Sequence, residues 1–169
     1  MPVLRLKAFL DKNDIRYVII SHSRAYTAAA TAAVTHTPGR EIAKTVMVNI
    51  DGNLAMCVVP GSRHLDLKAL EDELGARQVK LVTEDEFKSV FPDCELGAMP
   101  PFGTLYGLSV FVDSKLEEDP EIAFNAGSHR ELLRMQFADY ERLEHPRILS
   151  IATRSKHERL EEERFASRL

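Results

Sequence analysis

The sequence predicts a mixed α+β domain rather than a doubly wound parallel sheet. Strand-like segments outnumber helical ones, and the one pairing that can be read directly, around Asp51-Gly52, is an antiparallel hairpin. No internal repeat is visible.

Val3, Leu6, Phe9 and Leu10 follow helical spacing before Asn13, and residues 16–21 (RYVIIS) then read as a short strand. Tyr26 and Thr27 precede an alanine-rich helix reaching Val34; Thr27 suits its N-cap, and Thr37-Pro38-Gly39 breaks it. The next strand runs from Ile42 to Ile50, and Asp51-Gly52 turns it into a partner strand, 54–59, that is apolar on both faces. Asp66 is placed to cap a helix carrying Leu67, Leu70 and Leu74, which Gly75 closes in a left-handed conformation. After a strand at 79–82, Thr83 and Glu86 form a capping box ahead of Phe87, Val90 and Phe91, and Pro92 stops that short helix. A loop from Gly97 to Gly103 leads into a strand through Leu108, Val110 and Val112 that ends at Asp113; further strands are expected at 121–126 and 132–137. Asp139 is expected to cap a last helix ended by Pro146. Residues 1–152 then form one domain, and 153–169, with nine Lys, Arg, Asp or Glu residues, form a solvated helical or frayed tail whose Leu160 and Phe165 are free to dock on a neighbour.

At 169 residues, 44% hydrophobic and 28% charged, the chain suits one domain burying roughly 70% of its unfolded surface. A net charge of -4 and a pI near 5.9 exclude a broadly basic surface that coats nucleic acid, yet leave room for a local pocket gripping one nucleic-acid end. Two cysteines cannot build a disulfide framework, and no segment has a secretory signal or the roughly 18 apolar residues of a membrane span, so a cytoplasmic protein without a membrane partner is expected. Nothing in the pattern sets an oligomeric state.

Lys44 is the residue most out of place. Strand side chains alternate, which puts its amine on one face with Ile42, Val46, Val48 and Ile50. A desolvated ammonium is costly without acceptors or an anionic ligand, and burial lowers its pKa. Lys44 is therefore a site candidate, or else a strand-end lysine whose stem snorkels to water. A phosphate-binding loop fails, since Pro38 and Ala43 stand where its glycines belong. The six histidines show no metal-ligand spacing, and Ser128-His129 lacks the turn and the distant base of a hydrolytic triad. Two glycine segments are more informative. Gly97 before Pro100-Pro101 gives a stiffened loop with exposed N–H groups, and Asn125-Ala126-Gly127-Ser128-His129 gathers polar groups around a glycine. Each is either a ligand-holding loop or an ordinary surface turn.

Lys44 at the head of its strand, the Gly-x-x-Pro-Pro loop, Asp113 at a strand end and the Phe-Asn-Ala-Gly-Ser-His turn occur in an order that resembles the YbaK/ProX group of aminoacyl-tRNA deacylases, related to the editing domain of bacterial prolyl-tRNA synthetases. The likeness spans about residues 3–150. It implies a mixed, largely antiparallel sheet forming a partly open barrel with flanking helices, and hydrolysis of the ester joining a mischarged amino acid to the terminal adenosine of tRNA, with no metal or organic cofactor. It implies that Lys44 neutralises or orients the terminal phosphate or aminoacyl end, that Gly97 positions the ester carbonyl through backbone groups, and that Pro100 and Pro101 stiffen the wall. Gly127 and His129, with Asn125 and Ser128, match the last glycine turn at the amino-acid pocket; Tyr26, Thr27 and His22 lie where they can line it. The tRNA acceptor end is the expected partner, with a tRNA synthetase behind it. The alternative is a non-catalytic module that binds aminoacyl-tRNA or a nucleotide beside a synthetase. The charged tail has no counterpart in the family.

Overall fold

The computed structural model describes residues 3–154 and 156–168. Asp51 and Gly52 both adopt positive φ (49° and 93°), giving a two-residue turn whose twist matches that of the strands it joins. Those strands are the centre of the larger sheet. In chain order the elements are α1 (Leu4–Lys12), β1 (Tyr17–Ser21), α2 (Ala28–Thr35), β2 (Ala43–Ile50), β3 (Asn53–Pro60), α3 (Leu67–Leu74), β4 (Val79–Leu81), α4 (Glu84–Phe87), β5 (Val110–Asp113), β6 (Glu121–Asn125), β7 (Glu131–Gln136), α5 (Phe137–Glu144), β8 (Arg147–Leu149) and α6 (Lys156–Ala166).

Five strands order as β4-β2-β3-β5-β8 and three as β1-β7-β6. The pairings β1-β7, β6-β7, β2-β3 and β2-β4 are antiparallel, whereas β3-β5 and β5-β8 are parallel. The sheets are joined by a parallel bridge between Ile42 and Ala123, and they do not close into a barrel. The α+β class and the mixed, largely antiparallel sheet are as expected.

The main core lies between the sheets, where Met47, Met56, Val58 and Val112 meet Ile122, Phe124, Leu133 and Met135. A second cluster places Val48, Cys57 and Val59 against Leu70 of α3, so β3 is apolar on both faces because both are covered. Phe102, fully buried, makes edge contacts with Phe9, Phe124 and Tyr140. α2 packs over a third cluster built on Ile42, Ala123 and Leu132. Among the described residues no helix is long and apolar enough to cross a membrane.

Local signals placed the caps correctly. Thr27 accepts from the Ala30 N–H (3.0 Å), Asp66 from the Ala69 N–H (3.0 Å), Gly75 ends α3 at φ 63°, and the Thr83–Glu86 capping box forms. Three expectations need correction. Leu108 precedes β5, because Gly107 turns left-handed and the Leu108 N–H is drawn back to the Gly103 carbonyl. Phe137 opens α5 instead of closing β7, so Asp139 sits in the first helical turn and Gln136 holds the cap position. That helix is not the last: Arg147–Leu149 adds a strand parallel to β5, and α6 follows.

Gly127 is the tightest joint between the first helix and the sheets. Its φ is +96°, and a Cβ there would stand 2.1 Å from Val3 Cγ2. Gly127→Ala is therefore expected to cost roughly 2–4 kcal/mol through overpacking and positive-φ strain, read as a lower urea midpoint with an unchanged slope.

Candidate functional site

Lys44 is the second residue of β2, opposite Val59 of β3. Val46, Val48 and Ile50 on its face run on into the cluster around Leu70, with Leu67 and Leu74 beside it, but Lys44 stands at the far end of the row and is half-buried. Its ammonium donates to the Arg63 carbonyl oxygen at 2.8 Å, and burial alone draws its pKa below the ordinary lysine value. Among the described residues no carboxylate pairs with it. The cation is thus held by one neutral acceptor and left short of negative charge.

It borders a cavity of about 430 Å³. Tyr26 and Thr27 enter it from the start of α2, followed by Ala28, Ala29 and Thr31 on the helix. Ile42, Ala43, Lys44 and Thr45 line the opposite wall; Gly61 and His64 come from the turn after β3, Gly97 and Met99 from the loop before β5, and Asn125 from the end of β6. The inner end is closed by Thr31, Ile42, Ala43 and Met99, all nearly inaccessible, while Tyr26 at the mouth is 66% exposed. Thr31 Oγ1, Thr45 Oγ1 and Asn125 Oδ1 are buried without a hydrogen-bond partner. Each such orphan costs on the order of 1–3 kcal/mol until a ligand or water meets it. The three residues that carry them all line the cavity, beside the lone ammonium.

Gly97 takes φ +82°, and its N–H donates to no acceptor among the described residues. Beneath it lies His129, whose ring meets Tyr26 at a 48° tilt (4.9 Å between centroids). His129 Nε2 lies 2.6 Å from the Leu96 carbonyl oxygen, so it carries the proton and donates, while Nδ1 is left unpartnered. The His129 N–H donates to Glu95 (3.0 Å), the Glu95 N–H to the Gly127 carbonyl (2.8 Å), and the Gly127 N–H to the Ala98 carbonyl (3.0 Å). The glycine turn therefore braces the Gly97 loop from behind.

Of the residues expected at the site, Lys44, Gly97, Asn125, Tyr26 and Thr27 meet at the cavity, and Gly127, Ser128, His129, Pro100, Pro101 and His22 do not line it. Pro100 and Pro101 are buried, and the Pro101 carbonyl accepts from the Tyr140 hydroxyl at 2.7 Å. Glu144 accepts from the Thr104 N–H (3.0 Å) and hydroxyl (2.8 Å), so α5 fixes the loop's far end; burial pushes the Glu144 carboxyl up despite those bonds. Ser128 is spent on Glu131 and the Arg130 N–H, and His22 Nδ1 on the Ser23 carbonyl. Thr31, Thr45 and His64 were not singled out from the sequence. Thr31 is one polar residue inside an alanine-rich helix, and only the tertiary approach of β2 and β6 gives it a site to face.

Burial pushes the Cys57 thiol up to about 12 and the Cys94 thiol up to about 11, so neither is a thiolate nucleophile near neutral pH. Among the described residues no three His, Cys, Asp or Glu side chains gather as a metal site.

The aminoacyl-tRNA editing domain model matches residues 22–143. The Multifunctional Ser/Thr-tRNA deacylase ProXp-y of Escherichia coli (strain K12) is 26% identical over 151 residues, covering 86% of this chain and 90% of that protein. The solved structure named "putative trans-editing enzyme for prolyl tRNA synthetase" superposes with a TM-score of 0.76 at 20% identity, covering 89% of this chain and 96% of the other. A hypothetical protein of known structure, APE2540, gives 0.79 at 18% identity over 88% of this chain and 99% of its own. Both structural likenesses support the fold described above.

Folding lowers the Lys44 pKa, so the unfolded chain holds that proton more tightly. The resulting stability appears as pH rises toward the unfolded value near 10.5 and is lost as pH falls through the folded one; at pH 7 the ammonium is a net cost. Lys44→Met is expected to melt at or above the wild-type temperature at pH 7, with the gap narrowing toward pH 10. A clear drop at pH 7 would mark the amine as a structural tie.

Proposed function

The chain belongs to the aminoacyl-tRNA editing domain family, whose reaction is hydrolysis of the ester of mischarged aminoacyl-tRNA, and we propose that Lys44 and Gly97 carry that reaction here. The supporting observation is the convergence of an acid-free ammonium, an undonated backbone N–H and three orphaned oxygens on one cavity. A tRNA cannot enter 430 Å³, whereas an aminoacyl group can, so the amino acid takes the closed end and the polymer stays at the mouth. There exposed Tyr26 offers a ring to the terminal base, with the Arg24 guanidinium, which donates to the Tyr26 hydroxyl and pairs with Glu95, 5.8 Å from the ring centroid.

In this pose water adds to the ester carbonyl and the oxygen becomes an oxyanion. The Lys44 ammonium and the Gly97 N–H supply positive ends toward it. Collapse breaks the acyl–oxygen bond; the ribose oxygen leaves and takes a proton originating from the attacking water, relayed through its vicinal hydroxyl. The products are free amino acid and uncharged tRNA. Positioning and electrostatics supply the rate, and no side-chain nucleophile is required.

The side chain removed is one bearing a hydroxyl. The relative's name, a Ser/Thr-tRNA deacylase, supports this, as does Thr31 at the closed end, a residue 1% exposed whose Oγ1 has no hydrogen-bond partner. A buried group awaiting a hydrogen bond favours the substrate that supplies one over an analogue that does not. An aminoacyl-tRNA synthetase releasing its mischarged product is the partner this reading calls for.

The test is hydrolysis of Ser-, Thr-, Ala- and Cys-charged tRNA. Seryl and threonyl esters are expected to be cleaved fastest, Lys44→Met to lower kcat by roughly 10²–10³-fold, and Thr31→Val to lower kcat/KM about 10-fold for seryl but not alanyl ester. Unchanged hydrolysis in Lys44→Met would remove the proposed mechanism; an equal loss on both esters in Thr31→Val would remove the side-chain reading.

A further inference from the structure

The Lys44 ammonium is only as well placed as the carbonyl it donates to. That carbonyl belongs to Arg63, in the turn 61–66 between β3 and α3, and the other side of the turn is gripped by the end of the chain. The Thr153 N–H donates to the His64 carbonyl (2.7 Å), the His64 N–H to Thr153 Oγ1 (3.2 Å), and the Asp66 N–H to the Ile151 carbonyl (2.7 Å), while Leu65 and Ala152 form an antiparallel bridge. Buried Asp113 anchors this segment by accepting from the Ile151 and Ala152 N–H groups, both at 2.9 Å. Beyond it, Glu158 in the first turn of α6 pairs with the Arg63 guanidinium, whose side chain is only 11% exposed. All of these residues except Arg63, His64, Leu65, Asp66 and Asp113 lie outside the 22–143 match to the editing-domain family.

We propose that residues 151–153 together with Glu158 are a positioning clamp for the active-site lysine, with Glu158 holding Arg63 and, through the Arg63 carbonyl, fixing where the Lys44 ammonium points. This rests on the reading of Lys44 as the ester-facing cation. Ordinary tail helices have no reason to cover an arginine, yet here the partly buried arginine is the residue whose backbone receives the lysine. Two restraints on one residue, the guanidinium at the side chain and strand-like bonding of its neighbours, leave the carbonyl little freedom. Rates in a site that works by placement respond steeply to displacements of about 1 Å. Glu158 touches no part of the cavity, so its contribution is to geometry rather than to substrate contact.

Glu158→Gln keeps the size and helix of Glu158, and its side chain is 37% exposed, so folding should survive. The expected result is a kcat lowered 3- to 10-fold with KM nearly unchanged, an unaltered melting temperature, and partial recovery in Glu158→Asp. Glu161→Gln, which alters a contact with His157 on the same helix, should leave kcat and KM as they are. A second readout needs no turnover: the Lys44 ammonium resonance, slow to exchange in the wild type while bonded to Arg63, should broaden in Glu158→Gln. An unchanged kcat with a retained ammonium resonance would overturn the clamp. So would a fall in kcat matched by a lower melting temperature or by the same fall in Glu161→Gln. If the wild type cleaves no charged tRNA, the functional reading fails by itself, and the ammonium resonance still decides the clamp.

Discussion

An ammonium stands half-buried at the end of an apolar strand row, and its one partner among the described residues is neutral. Burial depresses the Lys44 pKa and the Arg63 carbonyl offsets part of the desolvation, but no described acid neutralises the charge. An ion pair there would have been more comfortable for the fold and useless to a developing oxyanion, because the field would already be spent. The parts around it keep that charge unspent: β3 supplies an apolar neighbour, α2 closes the cavity with alanines, and the 61–66 turn presents a carbonyl in place of a carboxylate.

The loop opposite is built with similar economy. Its positive-φ glycine lines the cavity and its N–H meets no acceptor among the described residues, while its prolines are buried. Phe102 plugs the core, Tyr140 and Glu144 tie the loop to α5, and His129 with the Gly127 turn supports it from beneath. Many residues expected to touch substrate thus brace the loop instead of lining the cavity. That is what a site relying on placement and electrostatics requires.

Much of the fold was legible because its signals are local. Asp51-Gly52, the caps at Thr27 and Asp66, and the Thr83–Glu86 box depend on a few adjacent residues and were placed correctly. Arg147–Leu149 was missed because a three-residue strand carries no periodicity, and Phe137 was misassigned because strand and helix abut with no breaker between them. At the site, Lys44 announced itself by breaking an apolar alternation, and Gly97 by its neighbouring prolines. Thr31 and Thr45 gave no such signal. Their significance is the absence of a partner, which is a property of the packed molecule.

The central claim is one of orientation: hydroxylated side chain inward, nucleoside outward, carbonyl between Lys44 and Gly97. It is tested most directly by binding 3′-seryl-amino-adenosine, in which an amide replaces the labile ester, and measuring nuclear Overhauser contacts. Contacts are expected from the serine β-protons to the Thr31 methyl group and from the adenine to the Tyr26 ring. Adenine protons against Thr31, or a ligand seated outside the α2–β2 cavity, would contradict it.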